Sequence, residues 1–111
     1  MSDAFKDREK GFERKYQLDQ EQQFRVQSRR DKLFGLWAAG KLGKSGDAAE
    51  AYAKEVVAAN FDKPGDDDMF AKVDKDLKAA NVAVSDQDLR AQLHVAYDRA
   101  AQQILSESPK K

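Results

Sequence analysis

The run Ala38-Ala39-Gly40-Lys41-Leu42-Gly43-Lys44-Ser45 fits the loose pattern of a phosphate-binding loop: a small residue, four spacers, then Gly-Lys-Ser. In such a loop the backbone amides cradle phosphates, the lysine balances their charge and the hydroxyl reaches a magnesium ion. That chemistry requires a buried strand in front and a helix behind, and here the preceding residues are the amphipathic end of a helix. The glycines fit a helix stop and a capped restart better, which leaves a weak nucleotide affinity at Lys41, Lys44 and Ser45 open and argues against a nucleoside triphosphatase. Asp66, Asp67 and Asp68 lack the spaced ligands and closing glutamate of a calcium loop and suit the N-terminus of a helix. His94 is the only histidine, so no metal pair can form around it, and it reads as a surface residue. Arg29 and Arg30 form a basic doublet able to grip a partner's carboxylates, although Glu21 and Asp31 lie near enough to neutralise it. There is no cysteine, which removes thiolate metal sites, disulfides and cysteine nucleophiles together. No nucleophile and base stand at a recognisable spacing, so the chain reads as a non-enzyme without cofactor or metal.

Nearly every segment that would position these residues has helical periodicity, and an all-α fold follows. A first helix is expected from about Asp19 to Ala39, with Val26, Leu33, Leu36 and Trp37 on its apolar side, Phe24 and Phe34 flanking, and Gly40 and Gly43 ending it. Trp37 is expected in the core. Asp47 with Glu50 suits a capping box for a second helix, whose inner side is Ala49, Tyr52, Ala53 and Val56 and which closes at Phe61 before Pro64-Gly65. The aspartate run opens a third helix facing inward through Met69, Phe70, Val73, Leu77 and Ala80, and Asn81 ends it. Val82 and Val84 form a short extended link. Ser85, with Asp88 three residues on, caps a fourth helix striped by Leu89, Leu93, Tyr97, Ala100 and Ile104, and the tail from Ser106 is expected to fray. Four such helices pack most economically as a small four-helix bundle over residues 21–111.

Residues 1–20 differ in kind. The first 25 residues carry six basic and six acidic side chains, and their large apolar groups are few: Phe5, Phe12, Tyr16, Leu18 and Phe24 besides Met1. Phe5, Phe12 and Tyr16 are seven and four apart, which places three rings on one narrow edge of a helix. Too charged to build a core, the segment is expected to be a mobile N-terminal arm, disordered or partly helical when free, that folds onto a partner. From periodicity alone, packing back onto the chain's own helices is as good a reading. Twenty basic residues balance twenty acidic ones, so no field favours nucleic acid or an anionic membrane. No apolar run approaches a membrane span, and the N-terminus lacks a signal-peptide core, so a cytoplasmic protein is expected.

The run RRDKLFGLWAAGKLG from Arg29 to Gly43, AEAYAKEVV from Ala49 to Val57 and FDKPGDDDMFAKV from Phe61 to Val73 resembles the zeta subunit family of bacterial F-type ATP synthases. So do the DREKGFE stretch from Asp7 to Glu13 and the Val84-Ser85-Asp86 entry to the last helix, and the likeness covers most of the chain in order. The resemblance implies a four-helix protein whose N-terminal segment inhibits ATP hydrolysis by entering an interface between the alpha and beta subunits of the catalytic head, near the gamma subunit of the central stalk. It assigns that role to Phe5, Asp7, Arg8, Glu9, Phe12 and Glu13, with Tyr16 where a phenylalanine is commoner. Gly11 stands where relatives often have alanine, which would weaken the arm's helix by up to about 1 kcal/mol. Gly40 stands in place of a usual glutamate, and an early end to the first helix is expected from it. On this reading the protein is a monomer when free and joins the membrane-bound enzyme from its cytoplasmic side without inserting into the bilayer. The rival readings are a nucleotide-sensing bundle using Lys41, Lys44 and Ser45, and a helical adaptor for some other protein.

Overall fold

The computed structural model describes residues 18–60 and 65–107, which form four α-helices: α1 (Gln20–Lys41), α2 (Gly46–Ala59), α3 (Asp67–Ala79) and α4 (Asp86–Glu107). Among the described residues there is no strand, and the all-α bundle expected from periodicity is the observed architecture. The arm and the closing residues of the second helix and its loop, Phe61 to Pro64, lie outside the described residues.

Helix α1 is the axis of the fold. Asp19 caps it through a reciprocal box in which the Gln22 amide donates to Asp19 Oδ1 at 2.7 Å and the Asp19 amide donates to Gln22 Oε1 at 3.1 Å. The N-terminal half packs Val26 against Ala100, Ala101 and Ile104 of α4, with Leu18 covering the edge. The C-terminal half meets α2, α3 and the start of α4 around Phe34, in a cluster that includes Tyr52, Val56, Met69, Phe70, Val73, Leu77, Leu89 and Leu93. Because Val26 meets the C-terminal part of α4 while Phe34 meets its beginning, α1 and α4 run antiparallel.

The buried face of α1 is rotated from the one expected. Phe34 is fully buried at its centre, whereas Leu33 and Trp37 are only partly buried and Phe24 is exposed. Trp37 stacks on Phe34 at 5.7 Å between centroids, with Lys41 over its outer face, and Phe70 meets Phe34 edge-on at 5.8 Å. Trp37 is thus the lid of the cluster and not its centre, since the small Ala38 and Ala39 occupy the inward positions beside it.

Helix α1 also passes through Gly40, where an early end was expected. It stops two residues later, at Leu42, in a paired-carbonyl cap: the Lys44 amide donates to Ala39 O at 2.9 Å and the Gly43 amide to Gly40 O at 3.1 Å. Gly43, at φ 80°, supplies the left-handed residue this cap needs, and Gly46, at φ 56°, turns the chain again. The second turn starts α2 at Gly46 with Ser45 at the N-cap position, so Asp47 sits inside the first turn and not at the cap expected for it. Asn81 ends α3 as expected, at φ 62°, with the Val82 amide on Leu77 O and the Asn81 amide on Lys78 O. Ser85 caps α4 by accepting from the Asp88 amide at 3.0 Å. Helix α4 runs through Ser106 and Glu107, past the expected fraying point, and there Arg29 donates to both Glu107 carboxylate oxygens through its two terminal guanidinium nitrogens at 2.8 and 2.9 Å.

Gly35 permits the crossing of α1 and α2. A Cβ there would lie 2.8 Å from Ala53 Cα and 3.1 Å from Val56 Cβ. Gly35→Ala is therefore expected to destabilise by about 1–3 kcal/mol even after the helix-propensity gain, since backbone must move. Gly40→Ala, whose new methyl meets nothing within 4 Å, should instead stabilise by about 0.5–1 kcal/mol. Urea melts of the two variants should shift in opposite directions.

Candidate functional site

The residues of the phosphate-loop lookalike are consecutive but are not arranged as a phosphate cradle. The amides of Leu42, Gly43 and Lys44 all donate to carbonyls of the last turn of α1. Any phosphate there would have to be held by side chains alone. Lys41 lies over the Trp37 ring at 5.9 Å, and Lys44 borders a shallow cleft between α2 and α3 with Tyr52 and Lys72 on its walls.

That cleft has a tight polar floor. The Tyr52 hydroxyl donates to Asp76 Oδ2 at 2.7 Å, and Lys72 donates to the same oxygen at 3.1 Å, pairs with Glu55 at 3.1 Å and lies over the Tyr52 ring at 5.1 Å. Burial and the bond to Asp76 both push the Tyr52 hydroxyl well above its ordinary pKa. For Asp76, burial acts upward, but the hydrogen bonds from Tyr52 and Lys72 outweigh it and hold the carboxyl below its usual value of 3.8. A carboxyl depressed on folding stabilises the protein above its unfolded pKa, and that contribution is lost as pH falls through the folded value. Acid unfolding followed by circular dichroism should therefore show a stability loss that begins as pH drops below about 4. Asp76→Asn should flatten this part of the profile. If the slope is unchanged in the variant, the Tyr52–Asp76–Lys72 cluster does not govern it.

Arg29 and Arg30, read from the sequence as a possible grip for a partner, are both engaged within the domain. Arg29 joins α4 through Gln103 and Glu107. Arg30 bridges Asp31 and Asp66 at 2.9 Å each, and Asn60 donates to the same two carboxylates at 2.8 and 3.1 Å. Burial raises the Asp31 carboxyl above its ordinary value, against the pull of Arg30 and Asn60. The cluster ties α1 to the end of α2 and the start of α3. It also redirects Asp66, which occupies the N-cap of α3 without a side-chain capping bond and spends its carboxylate on Arg30 and Asn60 instead.

Beside this cluster is a groove of about 550 Å³ between α1 and α4 that ends at the start of α3. One wall is Gln20, Gln23, Phe24 and Gln27 of α1, the other is Leu93, His94 and Tyr97 of α4, and Arg30, Asp66, Phe70 and Arg90 close the far end. Arg90 lies over the Phe70 ring at 4.8 Å and pairs with Asp86 at 3.0 Å. Leu18, the first described residue, also lines the groove, so the arm joins the domain beside it. Sequence reading did not single out this groove. Its one available signal was Phe24, an aromatic off the apolar stripe of α1, and Phe24 is 65% exposed.

The arm residues Phe5, Asp7, Arg8, Glu9, Phe12, Glu13 and Tyr16 lie outside the described residues. What bears on them is comparison: the sequence model of ATPase inhibitor subunit zeta matches residues 1–103, taking in the arm together with all but the last turn of the four-helix domain. The chain belongs to the ATPase inhibitor subunit zeta family. Comparison with curated proteins gave no significant match. Membership in the zeta family agrees with the resemblance read from the Arg29–Gly43, Ala49–Val57 and Phe61–Val73 runs, and an inhibitor subunit has a regulatory and not a catalytic role. No described helix is long and apolar enough to cross a membrane.

Proposed function

We propose that this protein is an inhibitory subunit of an F-type ATP synthase, and that residues 1–20 block ATP hydrolysis by entering the catalytic head between alpha and beta subunits, close to gamma. The observation that carries the reading is that the zeta-family match begins at residue 1 and so takes in the arm, where the spacing of Phe5, Phe12 and Tyr16 suits one edge of a helix. In support, both arginines that looked available for a partner are used inside the domain, and the loop amides near Lys44 are used in a helix cap. The inhibition is steric. A helix wedged into an interface that must open and close during rotation stabilises one state of that interface, and the degree of inhibition equals its preference for that state. The protein supplies no bond-making chemistry, and it acts from the cytoplasmic side, as a monomer.

Deleting residues 1–17 tests this. The cut spares Leu18, which packs against the Val26–Ile104 cluster, and the Asp19 cap, so helical signal and melting cooperativity should be retained. Inhibition of ATP hydrolysis by the purified catalytic head should be lost. A truncated protein that inhibits as well as the full chain would move the function from the arm to the surface of the bundle.

A further inference from the structure

We infer that the groove between α1 and α4 is a self-docking site for this chain's own residues 1–17, a sheltered state that competes with the partner for the arm's aromatic edge. The inference rests on the proposed role of the arm and adds a regulatory step to it.

Where the described chain begins is the first reason. Leu18 lines the groove, so residues 1–17 enter the domain at its edge and need no linker to reach it. Length is the second. From Phe5 to Tyr16 a helix spans about 16 Å, and the groove wall on α1 from Gln20 to Arg30 spans about 15 Å. Antiparallel docking would place Tyr16 beside Leu18, Phe12 along the walls and Phe5 toward Phe70.

The chemistry of the walls is the third reason. Phe24 leaves most of its ring in solvent although Phe70 and Leu93 beside it are buried, and an aromatic edge laid in the groove would cover it. The α1 wall is otherwise neutral amide, from Gln20, Gln23 and Gln27, in a chain with 36% charged residues. Amides donate and accept, so they suit an arm that carries charges of both signs between its rings. Because the arm is tethered, its effective concentration at the groove is on the order of millimolar, and weak docking suffices to populate the sheltered state. Partner affinity then falls by the fraction of arms left free.

The chain has no cysteine, so Ala4→Cys gives a single attachment point for a nitroxide on the full-length protein. Docking predicts that the label attenuates the amide resonances of Arg90, Leu93 and His94 and spares those of Ala48 and Ala51 in the α2–α3 cleft, at every protein concentration. Phe24→Ala should remove that attenuation and make the protein about threefold to tenfold more potent against the catalytic head, since more arms are free. Attenuation that is absent, or equal in both clefts, overturns the proposal. So does attenuation transferred to unlabelled protein mixed with labelled protein, which would make the occupant a second copy's arm. An unchanged potency in a Phe24→Ala variant that has lost the attenuation overturns the regulatory step. The resonance measurement needs no ATP synthase, so it can fail while the 1–17 deletion still abolishes inhibition, and the reverse.

Discussion

Phe34→Ala is expected to destabilise the domain by about 3–5 kcal/mol, the range for truncating a buried phenylalanine whose cavity cannot collapse. Phe34 is fully buried, stacked by Trp37 on one side and met edge-on by Phe70 on the other, and it touches the cluster formed by all four helices. No neighbour is free to move into the space: Gly35 and Ala53 hold α1 and α2 at closest approach, and Arg30, Asp31, Asn60 and Asp66 fix the start of α3. A domain of this size has roughly 5–10 kcal/mol of total stability, so the variant should lose a third or more of it and melt well below the parent, by about 4–8 °C per kcal/mol lost. Trp37→Ala should be milder, because Trp37 is only partly buried and its outer face already meets Lys41 and solvent. Chemical denaturation of both variants checks the ranking. A larger loss for Trp37→Ala than for Phe34→Ala would show that the assigned face of α1 is wrong.

That ranking reverses the one the sequence suggests, and the reason is geometric. Leu33, Phe34, Leu36 and Trp37 together span most of a helical turn, so periodicity says that this stretch is apolar without saying which side faces inward. The choice is made by Ala38, Ala39 and Gly35, whose small size lets α2 approach, and small residues weigh little in a hydrophobic pattern. Stops and starts written in backbone chemistry were easier to read. The Asn81 and Gly43 caps and the Ser85–Asp88 cap are local, and a left-handed residue or a side-chain acceptor three residues before an amide can be seen in a single sequence. The Asp19–Gln22 box has the same kind of signal and was legible in principle.

The polar clusters were not legible, because they depend on helices meeting in space. Asp66 reads as a capping residue by position, yet Arg30, 36 residues earlier, and Asn60 take its carboxylate. The Asp76 carboxylate likewise joins Tyr52, 24 residues earlier, and no spacing rule links the two. Gly40 shows the opposite error: its identity suggested a helix end, but the helix continues because one exposed glycine costs only about 1 kcal/mol against the packing of Ala38 and Ala39 on its inner side. The candidate groove was not legible: the spacing of Phe5, Phe12 and Tyr16 can be read in the sequence, but the groove lined by Leu18 exists only once α1 and α4 are laid side by side.

The double variant Phe5→Ala with Phe12→Ala is expected to weaken inhibition of the catalytic head by about a hundredfold or more: the lost anchors alone would cost about a thousandfold, since aromatic anchors at interfaces commonly contribute 2 kcal/mol or more each and every 1.4 kcal/mol is tenfold. The same substitutions also loosen the proposed self-docking, which acts in the other direction by freeing the arm. Magnitude decides between them. Release from a sheltered state can restore potency only by the inverse of the free fraction, about tenfold, whereas the lost anchors act on the full contact with the partner. The net result is still a loss of about a hundredfold or more. Gly11→Ala changes helix formation and not the rings, and because the docked arm is also helical its gain is largest where most arms are free. It leaves every ring in place and lowers the cost of folding the arm by up to about 1 kcal/mol, so inhibition should strengthen by up to about fivefold if the arm binds its partner as a helix. Dose-response curves of the full-length variants against ATP hydrolysis measure both effects. Equal potency of the double variant and the parent would mean that the three-ring edge is not what the partner recognises, whichever way the Gly11 variant moves.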